Sequence, residues 1–269
     1  IEVGRGHLLD HVPREGFLLV VHLAHGFDVA DGDLIGEAAN LFLLSFDADA
    51  GDLKIDRVRV DGKPARWKNA GGKLTVSATL AEDAECEVEV KYSVENPEAG
   101  LHFVRPGPHA PDNPIQMWSQ SQPNDARRWF PCHDAPGEKA TSEVRATVPA
   151  GFRAVSNGVL IERSAPRGKE VWHWRMERPH SIYLITLAVG KFAEVVEDWD
   201  GIPLVYYCEK GREADARRGF AKTAAAMRIF SEKTGVRYPY PRYAQVAVAE
   251  YPGGMEHTTA TTQTDACLL

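Results

Sequence analysis

The sequence predicts a mainly β protein: a sheet-on-sheet or saddle-like β domain, followed by a shorter segment of mixed α and β structure. Two observations carry this. From residue 17 to about 208, short apolar runs follow one another between turn signals with no helical period among them. After Lys210 the apolar spacing becomes helical and then returns to alternation before the last residues.

The first strands are "FLLVVHLAH", "NLFLLSF", "DRVRVDG", "KLTVSATL" and "CEVEVKYSV", with "DG" and "NAGGK" as hairpin turns. In the fifth run Cys86, Val88, Val90, Tyr92 and Val94 share one face while Glu87, Glu89 and Lys91 take the other. Cys86 is therefore expected to be a buried, reduced thiol packing as a small hydrophobe. "SEVRATVP", "FRAVSNG", "EVWHWRM", "SIYLITLAVG" and "GIPLVYYC" continue the pattern. In "READARRGFAKTAAAMRIFSEKTG", Phe220, Ala224, Met227 and Ser231 recur at helical spacing, Glu213 and Asp215 lie in the first turn, and Lys233 precedes Gly235 at the C′ position. This predicts one helix of about six turns. "YAQVAVAEY" then reads as a strand, and the boundary between the two parts is drawn near residue 203, giving units 1–203 and 204–269.

A chain of 269 residues can bury a sizeable core, and 43% hydrophobic with 26% charged residues is ordinary for a soluble globular protein. Its net charge of −7 argues against a nucleic-acid or acidic-membrane surface. No apolar run is long enough to span a bilayer. The compartment is not readable: the expectation is a soluble chain, either cytoplasmic or exported after loss of a signal peptide. Cys86, Cys132, Cys208 and Cys267 are scattered, with no C-x-x-C spacing.

His22 and His25 in "HLAHG" point to opposite faces if their run is a strand, so they cannot share a metal ion. Cys132, His133 and Asp134 in "PCHD" are sequence neighbours whose side chains diverge, unlike catalytic partners that meet through a fold. The run Ser119–Thr141, "SQSQPNDARRWFPCHDAPGEKAT", reads most simply as a long connection tied down by Asp–Arg pairs, with Trp129 and Phe130 fixing its path. "PGGMEH", Pro252–His257, taken alone, is a turn with a solvated glutamate.

Taken together and in this order, these last two stretches resemble the M1 family of zinc aminopeptidases, the gluzincins that include the aminopeptidase N and leukotriene A4 hydrolase types. "QPNDARRWFPCHDAPGEKA" is similar to a stretch of that family's N-terminal β domain, and "GGMEH" to its G-x-M-E-N exopeptidase motif. "SNGVL", "YLITLAVGKF" and "YPYPRYAQVAV" fit the family pattern in the same order.

The resemblance implies an N-terminal β domain followed by the opening α+β part of a thermolysin-like catalytic domain. It implies that Glu256 anchors the free α-ammonium of a peptide, since a partly dehydrated carboxylate is a strong charge-assisted acceptor. Gly253 and Gly254 would let a peptide lie alongside as an added strand. Met255, His257, Gln120 and Gln122 complete the implied substrate-binding set. Gln122 stands where many members carry a second acid, and it brings no charge. His257 stands at the motif's asparagine and is expected to titrate near neutrality.

The family's zinc sits on H-E-x-x-H and a later glutamate, and none of the ten histidines here is followed by glutamate. The resemblance thus implies zinc in a longer parent enzyme and none in this chain. The partners implied are a peptide with a free N-terminus and a missing C-terminal catalytic region. The expectation is a fragment inactive by itself; the rival expectation is a non-catalytic M1-like β scaffold that binds a protein, peptide or glycan.

Overall fold

The computed structural model describes residues 2–3, 18–20, 40–80 and 85–268. His22 and His25 lie outside the described residues. Among the described residues, four of the five sheets enclose one core. Asn40–Asp47, Lys73–Leu80 and Trp67–Ala70 form one; Glu2–Val3, Val88–Val94, Leu53–Val60 and Lys63–Pro64 a second. A third runs Arg153–Ser156, Leu187–Gly190, Gln116–Gln120 and Gly100–Val104, and a fourth Val159–Ser164, Lys169–Ser181, Lys139–Pro149 and Leu18–Val20. Their inner faces supply Leu44, Phe46, Leu74, Val94, Met117, Val144 and Trp174 to the common core.

The hairpin signals act as turn chemistry requires. Asp61 and Gly62 both take positive φ, 48° and 73°, and connect the paired residues Val60 and Lys63. Gly71 and Gly72 do the same between Ala70 and Lys73. Cys86 is only half-buried, because the regular strand begins at Val88 and leaves the thiol at the rim of the core. "SIYLITLAVG" is not one strand: Ile182–Leu184 is a 3-10 turn that seats Ile182 and Ile185 in the core, and the strand starts at Leu187.

The fifth sheet has the order Phe192–Trp199, Ile202–Glu209, Tyr243–Val248, Ala260–Thr264, Gly254–Met255. Residue 203 lies inside the strand Ile202–Glu209, and Phe192–Trp199 pairs with that strand along its whole length, so sheet membership changes at Lys191. The sheet is covered on both sides. Val205, Tyr207, Val246 and Val248 pack against Val104, Trp118, Val155 and Ala188 of the third sheet, while Leu204, Tyr206 and Cys208 face Ala216 and Phe220. Burial of both faces is why "PLVYYC" is apolar without alternation.

The single long helix is two, Glu213–Gly219 and Thr223–Thr234. A Cβ on Gly219 would stand 2.7 Å from the Cys267 carbonyl, so the chain passes close to the turn Asp265–Leu268 there. Phe220 then turns inward against Tyr206, with ring centroids 5.1 Å apart, and the Thr223 hydroxyl donates to the Phe220 carbonyl as the second helix starts. Gly235 follows that helix at φ 69°, the left-handed stop anticipated for it.

Candidate functional site

The stretch Glu250–Thr259 leaves the strand Tyr243–Val248 and returns into Ala260–Thr264, which pairs with it in parallel from Ala244↔Ala260 to Val248↔Thr264. Within the connection, Gly254 and Met255 pair antiparallel with Gln263 and Thr262, and the Thr264 N–H donates to the Gly253 carbonyl at 2.7 Å. This two-residue strand is last in the sheet, so one of its sides pairs with no other strand among the described residues. Gly254 is exposed, and a Cβ on it would stand 2.6 Å from Gln263 Oε1.

Alternation separates the three residues that follow. Met255 is buried in the core shared with the third sheet, so only its backbone faces outward. Glu256 is exposed, and no hydrogen bond or ion pair reaches its carboxylate from the described residues. His257 is 1% exposed, with Nδ1 3.0 Å from the Thr262 hydroxyl and Nε2 buried without a partner. The expected titration near neutrality is overturned: burial with no compensating charge pushes the imidazole down to about 3.

The strand Gln116–Gln120 docks directly on this connection. Gln116, Trp118 and Gln120 share its outer face, while Met117 and Ser119 point to the first core and to Thr186. Gln116 Oε1 accepts from the Ala249 N–H at 3.0 Å, and Trp118 Nε1 donates to the Ala249 carbonyl at 3.1 Å. The Trp118 ring meets Tyr251 edge-on at 4.7 Å and stacks on His102 at 4.1 Å. Gln120 Oε1 and the Tyr251 hydroxyl are both buried without a hydrogen-bond partner. Burial, reinforced by the nearby charge of Glu256, raises the Tyr251 phenol above its ordinary range.

Gln122 lies exposed on the loop just past this strand, before a cis Gln122–Pro123 peptide, and no hydrogen bond joins it to Glu256. The fold thus brings Gln120's strand to the Glu250–Thr259 connection. Trp118, Tyr251 and Asn113, whose Nδ2 donates to Glu250 Oε1 at 2.6 Å, were not singled out from sequence. No local signal marks them, since Trp118 and Asn113 meet partners more than a hundred residues away.

The polar run Ser119–Thr141 has the simple role expected for it. Arg127 binds Asp134 at 2.8 Å and Asp47 at 3.4 Å, and Arg128 binds Asp52 at 2.8 Å and Asp125 at 3.2 Å. Trp129 is fully buried, with its Nε1 donating to the Ser121 hydroxyl at 2.9 Å. Burial pushes Asp47 up, but Lys73, the Asp134 N–H and Arg127 outweigh it and hold its carboxyl below the ordinary value. Burial dominates at Asp134 and raises its carboxyl despite Arg127. Cys132 is buried, and desolvation with two neighbouring carboxylates keeps it a thiol far above ordinary thiol titration. Among the described residues no three His, Cys, Asp or Glu side chains converge in a way that could hold a metal ion, and no helix is long and apolar enough to cross a membrane.

Known proteins share this arrangement of sequence. Aminopeptidase M1 of Arabidopsis thaliana is 32% identical over 154 residues, 56% of this chain and 17% of that protein. Transcription initiation factor TFIID subunit 2 of Drosophila melanogaster is 30% identical over 178 residues, 64% of this chain and 14% of the relative. Leucine aminopeptidase 2 of Candida glabrata is 28% identical over 243 residues, 86% of this chain and 36% of the relative. The chain therefore spans roughly a seventh to a third of these curated relatives.

The structure of an M1 zinc metallopeptidase from Deinococcus radiodurans, bound to a Tyr-Ser-Ala substrate, superposes with a TM-score of 0.69 at 21% identity. The superposition covers 84% of this chain and 53% of that one, and shows a common fold. The profile of the Peptidase M1 N-terminal domain matches residues 44–184, more than half of the sequence, and this stretch includes the docked strand Gln116–Gln120. On that match, with the β fold to support it, the chain belongs to the Peptidase M1 N-terminal domain family.

Proposed function

We propose that this chain is the substrate-anchoring part of a longer zinc-dependent aminopeptidase, and that it acts on peptides with a free N-terminus. The observation that carries the reading is Glu256: an exposed carboxylate with no partner among the described residues, next to the edge strand Gly254–Met255 and the glycine pair Gly253–Gly254. An α-ammonium group would find there an acceptor whose charge no described residue neutralises. The open side of Gly254–Met255 offers backbone groups to an extended peptide, which fixes the direction in which the chain runs away from its anchored end. Gln120 and Gln122 sit on the docked strand and the loop after it, as neutral acceptors toward the same end of the substrate.

Zinc does not fit the residues present. The described residues hold no convergent donor set, and no histidine in the sequence is followed by glutamate. In this reading the metal belongs to a C-terminal catalytic region outside this chain, and the chain alone is inactive. The reading is tested by assaying pure chain for bound zinc and for hydrolysis of an aminoacyl substrate. Stoichiometric zinc with turnover would overturn the division of labour.

A second reading is favoured by one finding, the similarity to a transcription initiation factor subunit at 30% identity. Relatives named as aminopeptidases and relatives named otherwise both match this β region, so family membership leaves a non-catalytic scaffold open. The two readings part at Glu256. A scaffold's partner binding is indifferent to Glu256→Gln, whereas a peptidase containing this chain loses turnover.

A further inference from the structure

The tripeptide Ser156-Asn157-Gly158 lies in the first core's third sheet and the turn after it, yet it grips the chain just beyond Glu256. Asn157 is 1% exposed. Its Nδ2 donates to the Leu184 carbonyl at 2.8 Å and the Thr258 carbonyl at 2.7 Å, and its Oδ1 accepts from the Thr186 N–H at 2.8 Å. The Gly158 N–H donates to the Thr259 hydroxyl at 2.6 Å. Gly158 has φ +76°, and a Cβ there would run into the Arg175 carbonyl, so the turn admits only glycine.

Arg242 locks the other side of the tripeptide. It is 7% exposed, donates to the Ser156 and Gly158 carbonyls at 3.4 and 3.1 Å, and lies over the Trp174 ring at 4.5 Å.

Thr259 has φ +65°, a conformation that a β-branched residue holds only where its surroundings impose it. Its carbonyl accepts from the Ala244 N–H at 2.8 Å, which opens the parallel pairing of the two strands. Glu250, at the other end of the stretch, also has positive φ, 60°, and its carboxylate takes the Asn113 amide. The segment carrying Glu256 is thus bracketed by two left-handed non-glycine residues, each bonded to the first unit.

We infer that Asn157 and Gly158 of the first unit are positioning residues for Glu256, acting through Thr258 and Thr259 to hold its carboxylate where a peptide ammonium group must arrive. The inference rests on the ammonium-anchoring reading of Glu256. It makes the interface between the two units a determinant of substrate recognition rather than passive support.

The test uses Asn157→Asp, which keeps volume and the acceptor for Thr186 but faces an oxygen to two carbonyls, and Thr259→Val, which removes the hydroxyl at constant shape. Thr259→Ser restores that hydroxyl. Hydrogen exchange of the chain should quicken about tenfold over residues 254–262 in Asn157→Asp and Thr259→Val and stay near wild type in Thr259→Ser, the loss of one buried hydrogen bond. If Asn157→Asp does not fold, the Thr259 pair carries the test. Unchanged exchange in Thr259→Val, or an equal rise in the distant strand Lys139–Pro149, overturns the inference.

In a longer protein that turns over free peptides, Thr259→Val should raise KM about tenfold with kcat held within about twofold. An unchanged KM despite faster exchange also overturns it. Absence of turnover in the wild-type longer protein sinks the aminopeptidase reading instead, and exchange then decides whether the tripeptide holds the segment.

Discussion

The two polar, glycine- and proline-bearing connections, Ser119–Thr141 and Glu250–Thr259, look alike as sequence and differ in what their charges do. In the first, Arg127, Arg128, Asp125 and Asp134 are all paired, and Trp129 and Phe130 are sealed in the core. In the second, the ends are bonded to the first unit while Glu256 between them stays exposed and has no partner among the described residues. Density of chemistry-bearing residues therefore does not mark a site. What separates the two connections is that one spends its charges on partly buried ion pairs that fix its path, while the other leaves its carboxylate at the surface, where pairing would add little stability.

That contrast can be broken or sharpened by experiment. Trp129→Ala should have the largest effect, about 3–5 kcal/mol of lost stability from a side chain with no exposed area. Urea unfolding that finds less than about 1 kcal/mol would mean the first connection is not the anchor described.

Next comes pH. His257 is held at about 3 against an ordinary 6.5, so between these values the unfolded chain binds a proton that the folded chain refuses. Stability should be complete above about pH 6.5 and should fall, by a few kcal/mol, as pH drops toward 3. His257→Asn should flatten that slope in denaturant titrations at several pH values; an unaltered slope would place it on other groups.

Glu256→Gln should lower kcat/KM for free peptides about a hundredfold in a peptidase containing this chain, equivalent to about 2.7 kcal/mol. Its unfolding midpoint should not move, because the carboxylate is exposed and has no partner among the described residues. A large stability change would erase the distinction between the two connections. The smallest effect is expected at Gln122→Ala, within about 0.5 kcal/mol of wild-type stability, as for other exposed positions.

Much of the fold was legible because its signals are local. The Asp-Gly turn at 61–62, the glycine pair at 71–72 and the helix stop at Gly235 depend on neighbours within a few residues, and each stands where it was expected, while packing moved the start of two of the alternating runs to Val88 and Leu187. Of the proposed site, Glu256 and the two glycines were read from a short motif, whereas the strand Gln116–Gln120 was not anticipated and Gln120 was read as part of a connection. The readings of Cys86 and His257 went astray for one reason: exposure is set by what packs from elsewhere.

The sequence alone determined the order of strand-rich and helix-bearing parts, the turns and the identity of the carboxylate offered at the sheet edge, since backbone preference and side-chain period act over short range. Only the tertiary structure decided that the long helix breaks where Gly219 meets Cys267, that Phe192–Trp199 joins the fifth sheet, and that Ser156–Gly158 grips Thr258 and Thr259. Those outcomes rest on contacts between residues tens to a hundred positions apart, whose geometry exists only once the sheets have stacked.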